Sequence, residues 1–280
     1  MIRLLKAFRY KLFRDLTFRI TLIIGAGLAI MMTLVYLLME HTASSEIPFK
    51  ICTGQSLLVL ATNPAEGFGY SVPINLCTFI VLEFTSGTIR NKIIAGNSKF
   101  KIYASLFISG LIFAILLMGM YIALTFGLGC AIGGFNPEGL AYTMVGGGQL
   151  VAGFVPKLLV ITLVSYLTIT SIAVFAATLF RNIGPCIPVV ICFIMIFALV
   201  PMMVGMAPGM EKFMEVSSYI NPLHSLVCFT QNVVGETPET MRTYVNIDNM
   251  AFLRSIICNL VYTSIFFALG ARLFVKRDVK

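Results

Sequence analysis

The sequence predicts an all-α polytopic membrane protein with six transmembrane helices, an N-terminal amphipathic interfacial helix and two cytoplasmic termini. Hydrophobic residues make up 58% of the 280 residues and charged residues only 11%, whereas a soluble domain carries about 25% charged residues. Six apolar stretches approach the roughly 20 residues that a helix needs to cross a bilayer. Basic residues concentrate on one side of these stretches. This composition excludes a cytosolic enzyme, a secreted disulfide scaffold and a disordered regulator.

The first 19 residues, 1–19, are interpreted as an amphipathic helix that lies in the inner membrane interface. Their apolar stripe recurs at helical spacing and consists of Leu5, Phe8, Leu12 and Leu16. The basic residues lie largely off that stripe. A cleavable signal peptide is not predicted, because the apolar run that follows has 20 residues, whereas signal sequences have about 7–15. The helix is either a simple anchor for the first span or an elbow that positions a partner.

The transmembrane domain is expected to occupy residues 20–280. The six predicted spans are 20–39, 67–84, 102–130, 157–180, 183–206 and 251–272. A cytoplasmic loop, 85–101, joins spans two and three, and an outer segment, 207–250, precedes span six. Prolines lie inside two of the spans: Pro73 in span two, and Pro185, Pro188 and Pro201 in span five. Proline removes a backbone donor, so span five is expected to be kinked or broken and to face protein rather than lipid.

The charge distribution places both termini in the cytoplasm and the protein in a cell membrane. An even number of spans puts the two ends of the chain on the same side. With that side inside, 15 of the 20 lysines and arginines lie in inner segments, as the positive-inside rule requires. The net charge of +8 therefore reflects topology and contact with anionic membrane lipids rather than binding of nucleic acid.

Small and neutral polar residues inside the spans indicate helix contacts. Gly129 and Gly133 form a GxxxG pattern, which is typical of close helix approach. The polar residues are Asn75, Thr162, Ser165, Thr168, Thr170, Ser171 and Asn259. They either form hydrogen bonds between helices or line a pathway for an amphipathic cargo.

No pattern in the sequence indicates catalysis, a bound cofactor or a metal ion. The chain contains only two histidines, His41 and His224, and no HExxH, GxSxG or GxxxxGK[ST] motif. Glu211 and Glu215 are interpreted as lying on the solvent-exposed face of a short helix in the outer segment. The seven cysteines form no CxxC pair and are interpreted as small apolar side chains. Pairing is considered only for those near the outer face, which are Cys52, Cys130 and Cys228.

The loop between spans two and three is the most informative stretch of the sequence. Gly87 and Gly96 bracket a run that can form about two turns of helix. Ile89 and Ile93 share one face of that helix, while the basic side chains point elsewhere. Such a helix either docks an apolar knob into a groove on a cytosolic partner or is a basic loop held by lipid headgroups. The residues alone leave these two alternatives open.

A contiguous pattern in this loop resembles the first cytoplasmic loop of the six-span permease subunits of type-2 ABC exporters. The matching residues are Glu83, Gly87, Thr88, Ile89, Arg90, Asn91, Lys92, Gly96, Ser98, Lys99, Ile102, Tyr103 and Ser105. In the outer segment, Tyr219-Ile220-Asn221-Pro222 is similar to the outer re-entrant region of that family. Leu106 departs from the pattern, because members often carry a polar residue there.

The resemblance implies the permease subunit of an ATP-driven exporter, with no enzymatic activity of its own. Separate cytosolic ATP-binding-cassette ATPase subunits would bind ATP and dock on the loop, and a second permease chain, identical or different, would complete the complex. The expected ATPase-binding residues are Glu83, Gly87, Thr88, Ile89, Arg90, Asn91, Lys92, Ile93 and Gly96. The alternative is a membrane scaffold or sensor subunit that docks such an ATPase and transports nothing.

Within the loop we expect each residue type to contribute differently to docking. Ile89 and Ile93 are the expected apolar anchors, since truncating such a hot spot typically costs about 2 kcal/mol or more. Arg90 and Lys92 are expected to steer the encounter with an acidic rim on the ATPase. Glu83 is expected to pair with one of these two cations at the membrane end of the loop, as an exposed ion pair worth about 0–1 kcal/mol.

Overall fold

The computed structural model describes residues 7, 10, 14, 16–43, 52–62, 71–134, 141–143, 146–150, 153–180, 182–205, 230–234 and 242–276. Within these residues the chain forms eight helices and four strands. Several predicted features lie outside the described residues: Leu5, Phe8, Leu12, Glu211, Glu215, Tyr219, Ile220, Asn221, Pro222, His224 and Cys228.

The helices agree with the predicted spans in position. In chain order they are α1 (Leu16–Ala43), α2 (Gly54–Ala61), α3 (Ser71–Thr85), α4 (Thr88–Ile94), α5 (Lys99–Gly133), α6 (Phe154–Phe180), α7 (Ile183–Gly205) and α8 (Asn249–Lys276). Four of the described helices, α1, α5, α6 and α8, are long and apolar enough to cross a membrane. They overlap predicted spans one, three, four and six and extend beyond their predicted bounds, and α1 includes 16–19, which were assigned to the interfacial helix. The prediction of a helical, multi-pass membrane protein is therefore confirmed.

Spans two and five are less regular than the other four. Helix α3 has only 15 residues, and together with α4 it forms an apolar pair bent by 54°. Helix α7 has 23 residues and continues through its three prolines, so the expected break is absent from this described helix. The apolar stretch Ile183–Phe197 within α7 is shorter than a full span. Helices occupy both predicted positions, and the count of six spans stays a prediction.

A small four-stranded sheet, which the sequence analysis did not predict, joins two segments between the long helices. Its strands are β1 (Ala141–Thr143), β2 (Gly146–Leu150), β3 (Thr230–Val234) and β4 (Arg242–Asn246), in the order β1-β2-β4-β3. Strands β2 and β4 are parallel, and the other two pairs are antiparallel. The all-α class therefore holds for the spans only. Glycine is depleted in strands, so the run Gly146–Gly148 gives no indication of β2 in the sequence.

Helix α6 is the centre of the bundle. In its most apolar 18-residue stretch, 67% of the residues are buried, compared with 17% in the corresponding stretches of α1 and of α8. It packs against α3, α5, α7 and α8. Beside it, the rings of Phe79 and Phe113 stack with centroids 5.8 Å apart, and Phe18 of α1 lies 5.2 Å from Phe113. The two peripheral helices, by contrast, present broad apolar faces to their surroundings.

Polar side chains join α6 to α8 inside the bundle. Thr168 Oγ1 donates to Asn259 Oδ1 over 2.7 Å, and it lies 3.2 Å from Thr263 Oγ1. Asn259 Nδ2 in turn donates to the backbone oxygen of Ser255 over 2.9 Å. Asn259 is fully buried. For these residues the interpretation as hydrogen bonds between helices is confirmed.

At the C-terminal end of α5, the GxxxG glycines pack against a short buried segment. A Cβ added to Gly129 would lie 3.0 Å from Gly54 Cα, and one added to Gly133 would overlap the Cys52 carbonyl. The close approach predicted for this motif is therefore confirmed, although the partner is the start of α2 rather than another span. The Cys52 amide also donates to Glu40 Oε2 over 2.8 Å. Both Cys52 and Cys130 are free thiols.

Candidate functional site

The loop between α3 and α5 forms a short helix between two tight turns. The axis of α4 departs by 54° from that of α3. Gly87, at the N-cap of α4, has a φ of +68°, and Gly96, after its C-terminus, has a φ of +81°. Glycine adopts this left-handed conformation without the steric cost that a Cβ imposes. The two glycines predicted to bracket the helix therefore do so.

Local hydrogen bonds fix both turns. At the first turn, Ser86 Oγ lies 2.6 Å from Thr88 Oγ1. At the second turn, Asn97 Nδ2 donates to the backbone oxygen of Lys92 over 3.0 Å. Ser98 then caps α5, because its Oγ accepts from the Lys101 amide over 3.4 Å. The position of α4 is thus determined from both of its ends.

A buried ion pair ties α4 to the last turn of α3. Lys92 Nζ lies 2.7 Å from Glu83 Oε2, with Glu83 fully buried and the Lys92 side chain 13% exposed. Of the two cations that the sequence offered, the geometry selects Lys92, while Arg90 is exposed. The expectation of an exposed pair is wrong. Because both charges have lost most of their hydration, removing one partner would leave the other without compensation.

The two isoleucines expected to insert into a partner face into this chain instead. Ile89 is fully buried, and Ile93 is partly buried and packs against the same core. The predicted outward orientation of Ile89 is therefore wrong. The inward orientation of Ile89 follows from the spacing, because an apolar pair at i and i+4 on a short helix forms the face that packs on the helix's own protein.

The opposite side of α4, which we call the α4 face, consists of Arg90, Asn91 and Ile94. All three side chains are exposed, and their spacing places them together on one side of the helix. Ile94 is 74% exposed, more than any other large hydrophobic residue that the structure describes. Ile94 is not among the residues predicted as anchors from the sequence. The available signal was that Ile94 falls off the stripe formed by Ile89 and Ile93.

The loop also connects to α8 at the same end of the bundle. Lys99 Nζ donates to the backbone oxygen of Val275 over 3.1 Å. The rings of Phe84 and Phe274 meet edge to face, with centroids 5.9 Å apart. These contacts join the ends of α3 and α8 and the start of α5 around α4. A movement of α4 is therefore transmitted directly to α3 and α5, and through Phe84 and Lys99 to α8.

The chemistry that this loop offers is recognition. Among the residues that the structure describes, no group of three or more His, Cys, Asp or Glu side chains could hold a metal ion. The α4 face instead combines one apolar knob with one cation and one amide. That combination suits a small apolar groove with an acidic rim on another protein.

Residues 68–272 match the model of a protein family described as ABC-2 family transporter protein. The chain belongs to this family. The match begins just before α3 and ends within α8, so it includes α4 and both of its turns. Among curated proteins, none matches the chain. The predicted resemblance to ABC-2-type permeases is therefore confirmed, and the transport-related, multi-pass membrane character of the chain follows from it.

Proposed function

We propose that the chain is the permease subunit of an ATP-driven ABC exporter. It forms the translocation pathway and couples to separate cytosolic ATP-binding-cassette subunits through the loop 85–101. Membership of the ABC-2 transporter family supports the transport role. The ATPase subunits bind the ATP, and a second permease chain, identical or different, completes the complex. The termini and the loop lie on the cytoplasmic side of a cell membrane, in agreement with the distribution of basic residues.

The α4 face is the observation that carries the coupling part of the proposal. Ile94 is 74% exposed and lies beside the exposed Arg90 and Asn91, so the face offers a partner one apolar side chain with polar neighbours. Ile94 lies on a helix whose other side is held by Ile89 and by the pair of Lys92 with Glu83. A rigidly mounted apolar knob is what docking into a partner groove requires.

This arrangement divides the predicted site residues into two groups. Contact with the ATPase is assigned to the exposed residues Arg90 and Asn91. Ile94, which was not in the predicted set, is added to them as the anchor. Positioning of α4 is assigned to the residues that shape or fasten it: Glu83, Gly87, Thr88, Ile89, Lys92, Ile93 and Gly96. When the ATPase pair closes on ATP, α4 moves with it, and α3 and α8 follow through their contacts with the loop.

The substitution Ile94→Asp tests the proposed anchor. It places a charge at the centre of the contact and should weaken binding of the ATPase by about tenfold or more, as truncation of a hot spot does. The measurement is the dissociation constant of the purified permease with its ATPase, together with the rate of ATP hydrolysis by the complex. The change lies outside the buried core of the permease, so its unfolding should stay as in the unaltered chain.

Ile183→Asp is the matched control. Ile183 is the same residue type and is 37% exposed, but it lies at the start of α7 rather than on α4. This variant introduces the same charge and should retain the ATPase. Equal retention by both variants would contradict the coupling role of α4 and favour a basic loop held by lipid headgroups. The scaffold alternative predicts a different result for Lys92→Met. If the chain only docks the ATPase, loosening α4 leaves the rate of ATP hydrolysis by the complex unchanged, whereas coupled export predicts that this rate changes.

A further inference from the structure

A shallow groove of about 350 Å³ lies between α5 and α8, near the end of the bundle that carries the coupling loop. Its lining consists of Ala104, Phe107, Ile108, Thr263, Ser264 and Phe267. The contact of Lys99 with the backbone of Val275 shows that α5 begins where α8 ends. At 1.5 Å per residue, Ala104 lies about 7.5 Å along α5 from Lys99. The groove therefore opens within the apolar layer and close to its edge.

The groove needs an apolar occupant, although two of its lining residues carry hydroxyl groups. Ser264 Oγ donates to the backbone oxygen of Leu260 over 2.8 Å. Thr263 Oγ1 lies 3.2 Å from Thr168 Oγ1. Both hydroxyls thus have partners within the chain, and a ligand need not supply any. A hydrocarbon chain satisfies this surface, whereas a polar group placed here would lose its hydration without compensation.

Aromatic contacts hold one wall of the groove in place. The ring centroid of Phe267 lies 5.1 Å from that of Phe107, 5.3 Å from that of Tyr103 and 6.3 Å from that of Phe100. Three rings of α5 therefore surround one ring of α8. These ring contacts hold the side chains of this wall in place before anything binds. A bound hydrocarbon chain therefore does not have to immobilise them, which lowers the entropic cost of binding.

The end of the groove nearest the loop is positively charged. Lys101 is exposed and precedes Ala104 by about one helical turn. Arg272 and Lys276 are exposed on the last two turns of α8. The stretches 99–110 and 260–276, which contribute the groove and its mouth, contain no aspartate or glutamate. The charge beside the groove is therefore complementary to an anionic headgroup.

We propose that this groove binds one acyl chain of an anionic phospholipid, whose phosphate group lies at Lys101. The acyl chain covers the apolar lining, and the headgroup occupies the cationic level one turn closer to the loop. Such a lipid strengthens the contact of α5 with α8 at the point where both helices meet the coupling loop. The site requires only insertion into a membrane, so it does not depend on the proposed export activity.

Fluorescence quenching by brominated lipids tests the site, because the chain contains no tryptophan. The variant Phe107→Trp places a single reporter in the groove, and Leu124→Trp places one on an exposed position of the same helix outside it. Each variant is reconstituted into phosphatidylcholine vesicles that contain either brominated phosphatidylglycerol or brominated phosphatidylcholine. The expected result at the groove is about a fivefold preference for the anionic lipid, the factor that one lysine near an anionic surface supplies.

Charge variants complete the test. In the Phe107→Trp background, Lys101→Gln should abolish the preference, whereas Arg90→Gln, which removes an exposed cation from α4 and not from the groove or its mouth, should retain most of it. An equal preference at the two reporters, or a preference that survives Lys101→Gln, would overturn the proposal. So would a groove reporter shielded from both lipids, which is the result expected if a second copy of this chain covers the groove. Should Phe107→Trp fail to fold, Phe267→Trp reports from the opposite wall.

Discussion

Helices α2 and α4 have almost the same length and opposite surroundings. The eight residues of α2 are buried with a single exception, whereas only Ile89 is buried among the seven residues of α4. The first packs against the C-terminal end of α5, at Gly129 and Gly133, and the second lies just before the N-terminal end of α5. Equal local structure therefore serves two different purposes in this chain.

The difference arises from how each helix is fastened. Helix α2 begins against Gly129 and Gly133, where the missing side chains allow backbone to approach backbone. Its caps are bonded inside the chain, since Thr62 Oγ1 donates to the Val59 oxygen over 2.7 Å. Helix α4 is held by one isoleucine face and one ion pair, and its other side is exposed. We infer that α2 is part of the packed interior of the bundle, while α4 has one side available to a partner.

The largest effect is expected from Lys92→Met, which removes the fastening of α4. This substitution leaves the Glu83 carboxylate buried without its cation, and breaking a buried pair in this way costs about 3 kcal/mol or more. The measurement is the free energy of unfolding of the purified chain in detergent. Binding of the ATPase should weaken as well, because α4 would no longer hold one orientation.

The double variant Glu83→Gln with Lys92→Met separates the charge from the packing. A neutral pair removes the uncompensated carboxylate, so the double variant should be more stable than Lys92→Met alone. If instead the two losses simply add, the pair of Lys92 with Glu83 does not act as a coupled unit. The contrast between a fastened and a displayed side of α4 would then rest on Ile89 only.

A smaller effect is expected at the other helix, from Gly133→Ala. The added methyl group would overlap the Cys52 carbonyl, and overpacking of this kind typically costs about 1–3 kcal/mol. Gly127→Ala is the matched control on the same helix, since nothing lies within 4 Å of its added Cβ. That control should be neutral or slightly stabilising, because alanine is the better helix former. Equal unfolding free energies for both variants would contradict the close packing of α2.

Much of this architecture is predictable from the sequence, because long apolar runs and brackets of glycine act locally. Four spans follow from hydrophobic length alone. The bounds of α4 follow from Gly87 and Gly96, because glycine adopts the left-handed conformation found at both turns without steric cost. The pairing of Glu83 with one of two cations also follows, since both come within nine residues of it along the loop.

The orientation of α4 depended on contacts between distant parts of the chain. Whether Ile89 or Ile94 faces outward is decided by the core beneath the helix, and that core comes from residues far away in the sequence. The burial of α2 depends in the same way on two glycines more than 70 residues further along. The pairing of β2 with β4 joins segments almost 100 residues apart. The glycines of β2 also remove the side-chain pattern by which a strand is predicted from sequence.

The smallest expected effect is that of Arg90→Ala on the α4 face. Arg90 is exposed beside Ile94, and a charge at the rim of an interface stays hydrated, so its contribution is limited to about 0–1 kcal/mol. Binding of the ATPase should weaken by at most about fivefold at low ionic strength. The main change should appear in the association rate, because rim charges steer the encounter more than they hold the complex.

Ionic strength distinguishes this steering role from a packing role. The Debye length falls from about 30 Å at 0.01 M salt to about 3 Å at 1 M, so the difference between Arg90→Ala and the unaltered chain should vanish in high salt. Lys276→Ala, which removes an exposed cation from the end of α8, is the control and should leave association with the ATPase unchanged at either ionic strength. A loss that persists in high salt would mean that the Arg90 side chain packs into the partner through its aliphatic stem. The apolar knob of the α4 face would then consist of two residues instead of Ile94 alone.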